Sequence, residues 1–202
     1  MSQRSKDNSE RMLELWRPSR AAGAPIGCLA STFTFDANLF DEQALACFLD
    51  IDADPHREDL SYLLQREDLL GRVYAGILVD HTQADVEHSL RWDVLPVRVP
   101  RGRQHAKLSL LMWERHLRII VSSANLTQAG YRQNREVAAT IEATPDACSH
   151  EQVDAACAFL EHMLGFVPGA NRTLPHTSRA LRFLEQVRRR TTSWQKLDAR
   201  QA

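Results

Sequence analysis

The chain has 202 residues, 44% of them hydrophobic and 25% charged, with a formal net charge of −1. That is enough chain for one packed domain with a short appendage, and the balance is that of an ordinary globular protein rather than a fibrous or disordered one. No run approaches the roughly 18 apolar residues of a membrane span, and the opening MSQRSKDNSERMLELW lacks the apolar centre of a secretory signal; no stable membrane insertion and a cytoplasmic location are expected.

Residues 1–24 read as a loose or partly helical lead-in, and 25–202 as a single domain. IGCLASTFTF (26–35) is apolar, rich in β-formers and bounded by Pro25 and Asp36, which predicts a strand. Asp36 and Asn38 can cap a helix over the next dozen residues, where Leu39, Phe40, Ala44, Leu45 and Phe48 recur at helical spacing. Residues 57–70 form a weaker helical or irregular stretch. VYAGILVD (73–80) is a continuous apolar run, as in a strand covered on both faces. WDVLPVRVP (92–100) predicts an edge strand, because Pro96 has no N–H to give to a ladder. A hairpin over 105–130 and a strand over 134–143 come next. Two amphipathic helices close the chain, one over 150–166 and one over 174–190. Strands alternating with helices imply an α/β fold, a mixed β-sheet sandwiched by helices. The four cysteines (Cys28, Cys47, Cys148, Cys157) show no C-x-x-C pairing and are expected to be free thiols.

Charge is unevenly spread. Residues 36–93 hold 14 acids against 4 bases, 98–135 hold 8 bases against 1 acid, and 172–200 hold 8 bases against 2 acids. A charge run is by itself only a solvated face, but the first basic block coincides with the hairpin, which points to an anionic ligand.

The hairpin HAKLSLLMWERHLRIIVSSANLTQAG carries four polar residues at its open end. Side chains alternate along a strand, so His105, Lys107, Ser109, Leu111 and Trp113 share one face, while Ala106, Leu108, Leu110 and Met112 face the core. A tight turn at Glu114–Arg115 sets Lys107 opposite residues 122–124 and His105 opposite 124–126. Ser123 and Asn125 share a parity, so the four groups cluster. Glu136, among the apolar residues of the next predicted strand, needs a partner, and an imidazole N–H or an ammonium would serve.

Such a cluster can bind and attack a phosphodiester. Lys107 supplies positive charge for non-bridging oxygens, and the Asn125 amide and Ser123 hydroxyl donate hydrogen bonds. His105 can act as nucleophile if a carboxylate, here Glu136, holds its other ring nitrogen. Arg103, just upstream, and Ser109, on the face of His105, complete the set as substrate-binding candidates. No His/Asp/Glu set has metal-ligand spacing, so neither a metal nor another cofactor is expected.

His105-Ala106-Lys107, Ser123-Ala124-Asn125 and the following Glu136 resemble the half-motif of the phospholipase D superfamily, and the stretch 104–140 looks most like its tyrosyl-DNA phosphodiesterase branch and related bacterial proteins. Met112 stands where the common motif has an Asp five residues after the Lys, a departure that this branch shares. The resemblance implies a phospholipase D-like lobe and a metal-independent phosphodiesterase working through a phosphohistidine intermediate. Such enzymes pair two half-motifs across a pseudo-two-fold, and this chain holds one; His116-Leu117-Arg118 is the nearest imitation of a second. The site is therefore expected to need a homodimer or a second lobe. The basic blocks favour nucleic acid as substrate. The alternatives are a phospholipid phosphodiesterase, for which no amphipathic helix with a basic rim is evident, and a non-catalytic nucleic-acid-binding module.

Overall fold

The two most continuous apolar runs, PIGCLAST and YAGILVD, become the central parallel strands β1 (Pro25–Thr32) and β2 (Tyr74–Asp80) of a six-stranded mixed sheet. The computed structural model describes residues 12–51, 60–84, 89–169 and 174–196. The other strands are β3 (Asp93–Val97), β4 (Leu108–Trp113), β5 (Leu117–Ser122) and β6 (Ala138–Ala143). Their order across the sheet is β3-β2-β1-β4-β5-β6, with β1, β2 and β3 parallel and the last three strands antiparallel to their neighbours. The mixed α/β architecture expected from the sequence is the one observed. β3 is an edge strand, where the missing N–H of Pro96 leaves no central ladder broken.

Helices cover both faces. Asp36 caps a helical run, α1, by accepting from the N–H groups of Asn38 and Leu39 at 3.0 and 3.1 Å. This run is α-helical over Ala37–Leu39, makes a π-helical turn over Phe40–Ala44 and is α-helical again over Leu45–Phe48. It packs with Trp16, Trp92 and Trp113 on one face of the sheet. The weaker stretch becomes α2 (Leu60–Leu70); the part of that stretch over 57–59 lies outside the described residues. On the opposite face, α3 (His150–Leu164) and α4 (Pro175–Thr191) bury Leu160, Phe183 and Leu184 against Leu29, Leu78 and Leu110. No helix among the described residues is long and apolar enough to cross a membrane.

Three expectations are refined. The lead-in enters the core: Trp16 is fully buried, and its indole N–H donates to the Tyr131 hydroxyl at 3.0 Å. The hairpin has buried residues on both faces rather than one, with Leu110 and Met112 in one core and Leu111 and Trp113 in the other, because the helix layers sandwich β4. The strand over 134–143 begins only at Ala138, so Glu136 precedes it. The hairpin register itself, Leu108 opposite Val121 through Met112 opposite Leu117, agrees with the turn expected at Glu114–Arg115. All four cysteines are free and buried, Cys148 included despite its polar surroundings in sequence.

Candidate active site

Parallel β1 and β2 end at the same margin of the sheet at which antiparallel β4 begins and β5 finishes. Hydroxyls at the end of β1 fasten the segments that meet there. Ser31 Oγ donates to the Ala106 carbonyl at 3.1 Å and accepts from the Leu108 N–H at 3.0 Å. Thr32 Oγ1 donates to the Thr34 carbonyl at 2.8 Å and accepts from the Leu126 N–H at 3.0 Å. The loops before β4 and after β5 are thus tied to one strand end.

Asn125 is oriented by this junction. Its Oδ1 accepts from the backbone N–H groups of Phe33 and Thr34 at 3.2 and 3.4 Å, and Thr32 Oγ1 lies 3.3 Å away. With the oxygen engaged, the amide NH2 is the end left to donate to a ligand. Gly130, in a π-helical turn over Ala129–Gln133, backs the same residue: a Cβ there would stand 2.3 Å from the Asn125 carbonyl oxygen. Only the residue without a side chain fits that approach.

Lys107 is buried, 8% exposed, while His105 is exposed. The Lys107 ammonium donates to the His105 carbonyl at 2.9 Å and stands 3.2 Å from His105 Nδ1. An ammonium can only donate, so Nδ1 accepts and the resting imidazole carries its proton on Nε2. Burial lowers the pKa of Lys107, and the nearby charge of Glu136 partly opposes that shift. The imidazole also packs against the Phe33 ring, with centroids 5.1 Å apart.

The segment leading into this pair is pinned from β2. Asp80, fully buried at the strand end, accepts from Thr82 N–H at 3.0 Å, Thr82 Oγ1 at 2.6 Å and the Gln104 N–H at 2.8 Å. Burial alone would raise its carboxyl pKa; these three donors outweigh it and hold the group below the ordinary carboxylate range. Arg103 bonds Thr82 Oγ1 at 2.9 Å and lies over the Phe33 ring, its guanidinium carbon 5.9 Å from the centroid.

Glu136 does not take the place the sequence suggests. It is half-buried rather than sealed in a strand, and its carboxylate accepts from Ser123 Oγ and from Asn134 Nδ2, the latter at 3.1 Å. Ser123 Oγ in turn accepts from the Val137 N–H at 3.0 Å. The residue against His105 Nδ1 is Lys107, not Glu136. The carboxylate missed its expected partner because β6 starts two residues after it, leaving Glu136 on a loop facing Ser123.

A cleft of about 490 Å³ opens beside this cluster, with His105, Lys107, Ser122 and Ser123 on its polar side and Leu108, Val121 and Phe159 of α3 on its apolar side. Of the seven predicted residues, His105, Lys107 and Ser123 line the cleft. Asn125 is joined to it through Phe33, and Glu136 through Ser123. Arg103 stands beside Phe33, while Ser109 is buried in the sheet between Ala30 and Ile120 and does not reach the cleft. Sequence reasoning did not single out Phe33, Asp80, Gly130 or Phe159. A VYAGILVD run ending in Asp was the only local signal for any of them; Phe33 and Phe159 reach the site from distant parts of the chain, and Gly130 backs Asn125 through a turn.

No family model matches the chain, and no curated protein matches it. Its likeness to the phospholipase D superfamily is carried by His105-x-Lys107, Ser123-x-Asn125 and Glu136. Among solved structures it is similar to NucT from Helicobacter pylori, with 10% identity and a TM-score of 0.49 over 82% of this chain and 92% of that one. It is also similar to a mutant of yeast tyrosyl-DNA phosphodiesterase, with 8% identity and a TM-score of 0.45 over 91% of this chain and 36% of that one.

Proposed function

We propose that the chain is a phospholipase D-like, metal-independent phosphodiesterase lobe acting on nucleic acid, with His105 as nucleophile or general acid. The observation that carries this reading is the contact between an exposed imidazole and a buried ammonium at the mouth of a cleft, beside a fixed amide donor. A phosphodiester entering the cleft offers non-bridging oxygens to Lys107, Ser123 and the Asn125 amide. Drawing the ammonium off His105 frees Nδ1 to hold the proton, which leaves the Nε2 lone pair for attack at phosphorus. The bond from phosphorus to the leaving oxygen breaks as the Nε2–P bond forms, giving a phosphohistidine that water then cleaves. Glu136 partly offsets the effect of burial on the Lys107 ammonium and holds Ser123 in place.

The leaving oxygen needs a proton, and a second copy of this chain or a further lobe is the proposed source of that acid. The basic blocks over 98–135 and 172–200 support a polyanion as substrate, and 25–202 acts as one lobe with residues 1–24 as its lead-in. The test is hydrolysis of a bis-nitrophenyl phosphodiester in EDTA, with the solution mass measured on the same sample. Turnover that vanishes in His105→Ala supports the reading. A purified dimer of the parent chain without turnover overturns it.

A further inference from the structure

The end of the sheet remote from His105 has a cleft of its own. It measures about 500 Å³ and is walled by Arg72, Arg179, Arg182, Gln186 and Arg190, with Tyr74 in its floor. The last three of these arginines and the glutamine lie on α4 at steps of three, four and four residues, which places them in a single stripe along one helix face. At 1.5 Å per residue the stripe is roughly 16 Å long. The Tyr74 ring packs on Phe183 with centroids 5.2 Å apart, giving the cleft an aromatic base.

The charges in this cleft are not all answered from within. Arg72 bonds Asp68 at 2.7 Å, and Arg179 bonds Asp93 through Nε at 2.9 Å. The one acid in the wall, Glu114, accepts from the Ala24 N–H at 3.2 Å. Arg182 and Arg190 are exposed, and no carboxylate of a described residue pairs with them. Two free guanidiniums and an amide, spaced along a groove with an aromatic base, suit a repeating anion better than a single enclosed one. A phosphodiester backbone with stackable bases has that chemistry.

We propose that this cleft holds the sugar–phosphate backbone of a nucleic-acid strand, as a second contact remote from the reacting phosphate. The inference rests on the nucleic-acid reading above. β1 starts beside this cleft at Pro25 and ends beside the His105 cluster at Thr32, and eight residues of strand span roughly 23 Å. That is a span of several nucleotides, so the arginine cleft grips substrate well away from the cleaved bond. It adds affinity and register and takes no part in the chemistry.

The experiment is equilibrium binding of a labelled single strand of about 30 nucleotides across a salt series, with the full chain, Arg182→Gln, Arg190→Gln and the double variant. Arg189→Gln, exposed on the same helix but not among the residues that wall the cleft, serves as the charge control. The double variant is expected to bind about tenfold more weakly. Its slope of log affinity against log salt should fall by about 1.4, two phosphate contacts at about 0.7 each, while Arg189→Gln changes little. Bis-nitrophenyl phosphodiester turnover and the melting temperature should stay at parent values. A double variant that binds the strand like the parent, or no more weakly than Arg189→Gln does, overturns the inference and leaves the proposed activity standing. A parent chain that does not bind the strand at all overturns the inference and the nucleic-acid reading together.

Discussion

The two ends of the β4–β5 hairpin carry nearly the same residues and use them in opposite ways. At the open end stand His105, Lys107 and Glu136; at the turn end stand His116, Arg118 and Glu142. At the open end the cation is buried and the imidazole exposed. At the turn end His116 is only 3% exposed, stacked on Trp113 with centroids 5.4 Å apart and bonded through Nε2 to Glu142. Arg118 bonds the same carboxylate at 2.6 Å and donates to the Leu15 and Arg17 carbonyls, both at 2.7 Å. Nε2 of His116 and the guanidinium of Arg118 are both taken up by the chain, so that triad fastens the lead-in. The open end leaves the imidazole Nε2 and an amide NH2 without a hydrogen-bond partner among the described residues, beside a cleft. Residue types at a given spacing set what chemistry is available; burial and prior partners decide whether a ligand can use it.

Exchanging one histidine at a time should separate the two ends most sharply. His105→Ala is expected to cut phosphodiester turnover by at least about 10³-fold with a melting temperature near the parent's, because the ring is exposed. His116→Ala should do the reverse, costing about 2–4 kcal/mol of stability through the loss of a buried ring and its stack on Trp113 while the folded fraction keeps its rate. Calorimetry and kcat on the same preparations check both, and equal loss of turnover in the two variants would end the distinction.

Gly130→Ala is the next largest effect. Its Cβ collides with the Asn125 carbonyl oxygen, so turnover should fall roughly 10–100-fold as the amide is displaced by a fraction of an ångström. Gly165→Ala, whose nearest contact is the His162 carbonyl at 3.1 Å, should leave kcat unchanged.

Lys107 tests what burying a cation costs. Lys107→Met should abolish turnover and yet gain up to about 1 kcal/mol at neutral pH, by denaturant titration, because the charged form is disfavoured in its buried position. The pKa is lowered on folding, so the penalty applies below the folded value. It fades as pH rises from there to the ordinary lysine value of about 10.4, and the parent gains on the variant over that window. Turnover, which needs the ammonium, should lose its alkaline limb below the ordinary lysine range.

The smallest effect belongs to Glu142. Burial would raise its pKa, but the bonds from His116 and Arg118 outweigh this and hold it below the usual range. Its stabilisation is present above the unfolded value of about 4.3 and is lost as pH falls through the folded one. Glu142→Gln should therefore flatten the acid limb of the stability curve at the turn end and leave the pH profile of turnover alone. The change should be less than about 1 kcal/mol, since the side chain is 41% exposed and screened by water.

Most of the sheet was readable from local pattern. PIGCLAST and YAGILVD are apolar up to their last residues because both their faces are covered, and Pro96 marks an edge because it cannot donate. The hairpin register came from one turn, and that register was enough to bring His105, Lys107, Ser123 and Asn125 to one end. Glu136 was legible as a neighbour of the cluster but not in its partner, since a strand beginning two residues later turns its carboxylate to Ser123. Trp16 and Ser109 were misjudged in environment for a related reason: burial depends on which layer lies over a residue, and period alone does not say.

By itself the sequence determined the alternation of strands and helices, the hairpin and the identity of the polar cluster, because strand period, turn chemistry and proline's missing donor are local properties of the chain. Only the tertiary structure decided which of two histidine–cation–carboxylate sets faces a cleft. Only it set Phe33 and Asp80 behind the site and drew Arg72 to the α4 stripe, because those contacts are made by parallel strands and packed helices whose partners lie far apart in the chain.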